Sequence, residues 1–247
     1  MLQLPSIELF NCPVHSVSMQ QTLDYIAECI DSDRHLHHVV VNAAKLVYMQ
    51  KDRQLYESVV HCDIINADGQ AVVWASKILG KPLPERVAGI DLMSGLVAMA
   101  ARKRYKIFLL GAKEEVVSKV ADIYKKQYGP EIIAGYRNGY FAPEEEAEVA
   151  AEIAESGAHI LFVAISSPKK EIFLNKYRRL IRTPFIMGVG GSFDVVSGKT
   201  RRAPVWMQHN GLEWLYRIYQ EPRRMWKRYA VTNTKFILLV FKQWLKR

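Results

Sequence analysis

The amino-acid sequence predicts an α/β protein: a Rossmann-like, mostly parallel sheet flanked by helices, with a basic helical C-terminal appendage. Three observations carry that expectation. Six short runs rich in aliphatic and β-branched residues alternate with longer amphipathic stretches, the order of an α/β sheet. The runs show no polar alternation, as expected of strands covered on both faces. Charge also divides the chain, whose 247 residues carry a net +9. Residues 217–247 account for +8 of it, because Glu221 is the only acid among Arg217, Arg223, Arg224, Lys227, Arg228, Lys235, Lys242, Lys246 and Arg247.

The elements follow in order. Ser18 and Gln21 form a capping-box pair that starts a helix running to about residue 30. Strands are expected at 38–42 (HVVVN) and 63–67 (DIINA), followed by helices at 70–79 and 91–102. A strand at 106–110 (KIFLL) leads to a helix at 114–128, and a strand at 132–135 to a helix at 143–155. A strand at 160–164 (ILFVA), a helix at 168–180 and a strand at 185–189 complete the alternation. After Pro204 the pattern turns aromatic and helical over 206–219, Pro222 breaks it, and the basic tail follows. Two units are therefore expected, a body over 1–200 and an appendage over 201–247.

Composition narrows the class. With 49% hydrophobic and 24% charged residues, the chain is neither collagenous, low in complexity nor a disulfide scaffold. Cys12, Cys29 and Cys62 are odd in number and lack CxxC spacing, which speaks against a zinc cage and suits a reducing cytosol. No apolar run reaches the roughly 18 residues of a membrane span. The N-terminus lacks the basic-then-apolar order of a signal peptide.

Open α/β sheets bind ligands beyond the carboxyl ends of their strands. That rule singles out Asn42, Asp68-Gly69, Gly111-Ala112, 166–169 and 190–194. Asp68 could take a proton from an attacking hydroxyl, or it could simply cap the helix that follows. Arg86 is either an anion ligand or an ordinary surface arginine. Gly188, Gly190 and Gly191 expose backbone to a ligand, yet match neither GxGxxG nor the Walker A spacing, so a nicotinamide-dependent oxidoreductase is poorly supported. Asp31-Ser32-Asp33 resembles a metal-binding DxD but falls at the wrong end of the sheet, and His35, His37 and His38 have no fitting carboxylate; no metal site is expected. In the tail, Arg217, Arg224 and Arg228 could share a helical face if the chain ran on through Pro222, and their forks suit phosphate. The apolar run 236–241 (FILLVF), with Lys242, Lys246 and Arg247 at its rim, fits an interfacial membrane helix or packing on the body. The body has no basic stripe, so nucleic acid is not an expected partner.

The sequence resembles the WecG/TagA/CpsF glycosyltransferases (glycosyltransferase family 26). Matching stretches run in order: Asn42-Ala43-Ala44-Lys45, 67–75 (ADGQAVVWA), 86–91 (RVAGID), 108–111 (FLLG), Gly139-Tyr140-Phe141, 168–171 (PKKE), 188–194 (GVGGSFD), Arg202-Ala203-Pro204, 212–217 (LEWLYR) and 221–224 (EPRR). The resemblance implies an inverting, metal-independent, cofactor-free transfer from a UDP-sugar to a polyprenyl-diphosphate-linked saccharide, in exopolysaccharide or cell-wall polymer assembly. It implies a cytoplasmic enzyme, peripheral on the inner, anionic face of the membrane. By similarity Asp68 is the base, with Asn42 and Arg86 beside it. Tyr140 and Asp194 match positions near the uridine, and Arg217 and Arg224 match arginines that fold over the diphosphate, followed by Lys227 or Arg228. Lys170, Gly190 and Gly191 complete the expected substrate-binding set. Two departures bear on sugar identity, glucose or N-acetylmannosamine type: Val40 replaces a frequent Thr, and Lys170 a frequent Gln. Self-association stays open, and the rival reading from another class is a non-catalytic nucleotide- or lipid-binding scaffold at the membrane.

Overall fold

The computed structural model describes residues 4–246, with the side chain of Arg224 outside the described set. The chain begins with an antiparallel hairpin, β1 (Ser6–Leu9) and β2 (Cys12–His15), turned by Phe10 and Asn11, both left-handed at φ 55° and 62°. Helix α1 (Met19–Asp31) opens with the expected capping box: Ser18 Oγ accepts from Gln21 N–H at 3.1 Å, and Gln21 Oε1 accepts from Ser18 N–H at 2.8 Å. Then follow β3 (Leu36–Val41), α2 (Ala43–Met49), α3 (Arg53–Val60), β4 (Ile64–Ala67), α4 (Gln70–Ile78) and α5 (Gly89–Lys103). The middle of the chain gives β5 (Ile107–Gly111), α6 (Glu114–Tyr128), β6 (Ile133–Arg137), α7 (Glu146–Glu155), β7 (Ile160–Ala164) and α8 (Lys169–Ile181). Last come β8 (Phe185–Gly188), α9 (Ser192–Val196), α10 (Val205–His209), α11 (Glu213–Gln220) and α12 (Pro222–Trp244).

Strands β3 to β8 form one six-stranded sheet in the order β4-β3-β8-β7-β5-β6, with every pairing parallel. All six strands expected from the sequence are present. The pleat sends successive side chains to opposite faces. Ile107, Leu109, Ile160, Phe162, Phe185 and Met187 pack with α1, α5 and α6. Phe108, Leu110, Leu161, Val163 and Ile186 pack with α7 and α8. Near β3 and β4, that second face is covered instead by the hairpin, α2, α3, α4 and Phe236 of α12. The central strands β5, β7 and β8 are apolar on both sides because both sides are covered, whereas the edge strand β6 is only half-buried, with Tyr136 exposed and Arg137 ion-paired.

The edge strand β4 is protected by the hairpin, whose His15 Nδ1 accepts the Ile65 N–H at 3.0 Å. The hairpin in turn holds the tail: Phe10 meets Phe236 edge-on at 5.5 Å, and Phe10 N–H donates to Gln243 Oε1 at 3.3 Å. Helix α12 is therefore docked on one side and open on the other. Met225, Thr232 and Phe236 are buried, whereas Ile237, Leu238, Phe241 and Trp244 are exposed beside Lys235 and Lys242. Among the described residues no helix is long and apolar enough to cross a membrane. The chain does break at Pro222, the first residue of α12, so Arg217 stands on α11 while Arg224 and Arg228 stand on the next helix. The single helical face that a continuous path would give is not formed.

Candidate active site

All six parallel strands end on the same side of the molecule, and the chain leaves β5 for β6 and β7 for β8 in opposite directions. Such a reversal opens a crevice between the two strands. Its floor is tightly fitted: Gly111 has φ +123°, and a Cβ there would lie 2.5 Å from the Ala164 carbonyl carbon, so only glycine serves. Further along the same rim stand the ends of β3, β4 and β8.

Asn42 follows β3 and caps α2, its Oδ1 accepting the Lys45 N–H at 3.0 Å. Asp68 follows β4, and its N–H donates to Val41 O at 2.8 Å. The helix beyond it, α4, starts from Gly69 with no side-chain cap. Asp68 therefore does not perform the capping role that its position also allowed. Burial raises the Asp68 pKa above the usual carboxylate range, while Arg86 and Arg217 draw it down, Glu213 raises it and Lys45 lowers it. The carboxylate thus lies in a field made by four residues from three separate parts of the chain.

Arg86 reaches this point because Val87 N–H donates to Ala67 O at 2.9 Å, pinning the loop against the end of β4. Its guanidinium pairs with Glu213 on α11. Glu213 also accepts from Arg202 at 3.4 Å, and Arg202 grips Asp91 of α5 with two nitrogens at 2.6 and 2.8 Å. Arg217, one turn beyond Glu213, is exposed and forms no ion pair among the described residues.

A second ionic cluster is buried under the rim. Glu171 Oε1 takes both Lys45 Nζ at 2.9 Å and Lys170 Nζ at 3.0 Å, and Glu171 Oε2 has no hydrogen-bond partner among the described residues. Burial and the neighbouring Lys45 press Lys170 down to about 8 against the pull of Glu171. Burial pushes Glu171 up, but the two lysines outweigh it and hold its carboxyl at about 2. Lys170 lies against Gly188, where a Cβ would meet its Cε at 2.4 Å.

The remaining expected residues are more scattered. Tyr140 is 75% exposed in the loop after β6, with its N–H on Asn138 Oδ1 at 2.9 Å. Gly190 has φ +54°, and a Cβ on it or on Gly191 would meet nothing within 4 Å. Asp194 on α9 pairs with Lys199 at 3.3 Å. Lys227 and Arg228 are exposed on α12 and take part in no ion pair among the described residues. The side chain of Arg224 lies outside the described residues. The structure thus brings together Asp68, Arg86 and Arg217, and it adds Glu213, Arg202, Asp91, Lys45 and Glu171, which sequence reasoning did not select. All five lie in the stretches that carry the family resemblance, and that resemblance was the signal that could have marked them.

Other candidate features have structural partners. Asp31 ends α1 and bonds Lys103 and Tyr105. His37 and His38 are buried, pressed by desolvation to about 4 and 3, and His38 Nε2 sits 2.8 Å from Asn66 Oδ1. Among the described residues no group of three or more His, Cys, Asp or Glu side chains could hold a metal ion.

A model of the glycosyl transferase WecG/TagA/CpsF family matches residues 7–247. An N-acetylglucosaminyldiphosphoundecaprenol N-acetyl-beta-D-mannosaminyltransferase of Bacillus spizizenii is 40% identical over 195 residues, 78% of this chain and 74% of that protein. A protein of the same description from Bacillus subtilis (strain 168) is 34% identical over 236 residues, 95% of this chain and 91% of that one.

Proposed function

The chain belongs to the WecG/TagA/CpsF glycosyltransferase family, and we propose that it moves a sugar from a UDP-sugar to a hydroxyl of a polyprenyl-diphosphate-linked saccharide. Both relatives are named for N-acetylmannosaminyl transfer to a lipid-diphosphate N-acetylglucosamine, which supports an N-acetylmannosamine-type donor ahead of glucose. The product belongs to cell-wall polymer or exopolysaccharide assembly. The body, 1–200, is read as Rossmann-like and as the seat of the chemistry.

The acceptor oxygen attacks the anomeric carbon opposite UDP. The bond from that carbon to the phosphate oxygen breaks, its electron pair leaves with UDP, and the hydroxyl proton passes to Asp68. The anomeric centre inverts. Asn42 holds the reacting groups, and Arg86 and Arg217 absorb the charge gathering on the diphosphate without a metal ion. Arg224 with Lys227 or Arg228 extends that cationic cover. Tyr140 and Asp194 flank the uridine, and Lys170, Gly190 and Gly191 line the donor's approach. The appendage, 201–247, serves as lid and as contact with an anionic membrane on its cytoplasmic side. The docked inner face and exposed apolar, lysine-flanked outer face of α12 support that contact.

One observation carries the reading: Asp68 is an uncapping carboxylate at a strand's carboxyl end, with Arg86 and Arg217 as the opposing charges in its field. Asp68→Asn tests it. UDP released from a UDP-N-acetylmannosamine donor and lipid-linked acceptor should fall by roughly 10²–10⁴, with UDP binding nearly unchanged. Unchanged turnover would remove Asp68 from the role of base.

A further inference from the structure

Helix α11 buries none of its residues, yet it carries Arg217 to the neighbourhood of Asp68. Its apolar contacts are partial, Trp214 meeting Tyr229 of α12 at 6.0 Å, and at its far end Gln220 Nε2 donates to Arg201 O at 2.9 Å, so the tie of its first turn to the body is ionic. Its first residue, Glu213, bonds two arginines that are themselves anchored to the body. Arg86 is pinned through Val87 to the end of β4, and Arg202 is clamped in a two-pronged pair to Asp91 on α5. The side chains of Arg86, Arg202 and Glu213 are each about a quarter exposed or less, so solvent screens their attraction only in part. Glu213 and Arg217 lie four residues apart on one side of α11, so an anchor at the first sets the second.

We propose that Glu213 is a positioning residue, whose bonds to Arg86 and Arg202 dock α11 on the body and thereby set Arg217 beside Asp68. The inference deepens the transfer reading above and rests on it for its kinetic consequence. A cation that meets charge appearing on the departing diphosphate contributes in the transition state more than in the bound ground state. Misplacing it should therefore cost kcat ahead of donor KM.

The test uses the full chain and the same UDP-release measurement. Glu213→Ala should lower kcat roughly 10- to 100-fold while donor KM stays within about threefold, and Glu213→Asp should recover part of the loss. In an Arg217→Ala background the same substitution should cost less than about threefold, because its effect passes through the missing arginine. Equal cost in both backgrounds, or no cost in either, overturns the proposal. Hydrogen exchange across 213–220 gives a reading independent of turnover: faster exchange in Glu213→Ala supports docking by Glu213, and unchanged exchange overturns it. Should the alanine variant fail to fold, Glu213→Gln, which keeps the volume and loses the charge, is read by the same two criteria. Asp68→Asn, run in parallel, separates the two claims. If it keeps full turnover, the base assignment falls while the exchange result still decides the docking.

Discussion

Two cations reach Asp68 by opposite structural routes. Arg86 comes from the rim of the sheet, on a loop tied by its neighbour Val87 to the end of β4, and its side chain is largely enclosed. Arg217 comes from α11, a helix with no buried residue, and is itself exposed. The fold fixes the first; a polar contact docks the second. A fixed cation contributes to binding and catalysis alike, whereas a docked one can arrive with the substrate and so act chiefly on the reaction step. The same contrast recurs within α12, whose inner face joins the core through Phe236 while its outer face meets solvent.

Substitutions can break or sharpen that contrast, and the largest effect belongs to the fixed cation. Arg86→Ala should lower kcat/KM by roughly 10²–10³ and raise donor KM, because a fixed, largely enclosed cation facing the diphosphate is lost in both the bound ground state and the transition state. Arg217→Ala should cost roughly 10- to 100-fold, mostly in kcat. If steady-state kinetics gave the two variants the same division between kcat and KM, the distinction between fixed and docked cation would fail. On the two faces of α12, Phe236→Ala should destabilise the chain by about 3–5 kcal/mol in denaturant titration, as the loss of a core aromatic does. Phe236 is 5% exposed and Phe241 56%. Phe241→Ala should accordingly change stability by less than about 0.5 kcal/mol yet weaken sedimentation with anionic vesicles severalfold. Equal vesicle binding by the Phe241→Ala variant and the parent would detach the outer face from the membrane role.

Much of this architecture was legible in the sequence, and the gaps have physical causes. The six sheet strands stood out because a parallel sheet covered on both faces needs unbroken aliphatic runs, such as ILFVA at 160–164. The hairpin did not. Its turn is Phe10-Asn11, without the glycine that usually marks a left-handed two-residue loop, and β2 contains Pro13 and half-buried positions. Helices α2 and α3 are too short, at seven and eight residues, to show a period. Asp68 could be picked out because strand ends are where ligands bind. The resemblance also put Asn42 and Arg86 beside it, but the ionic link behind them was not legible, since Glu213 meets Arg86 across 127 residues of chain and no local pattern encodes that meeting. The link between Lys45 and Glu171, 126 residues apart, escaped for the same reason.

The most direct measurement is the pH dependence of kcat/KM in the parent chain and in Arg217→Ala. If Asp68 is the base, activity is lost as pH falls through its pKa, and burial places that acidic limb above the roughly 3.9 of an unperturbed aspartate. Arg217 lowers this pKa, so removing it should move the limb to still higher pH. A limb that stays in place, or moves to lower pH, would contradict the account.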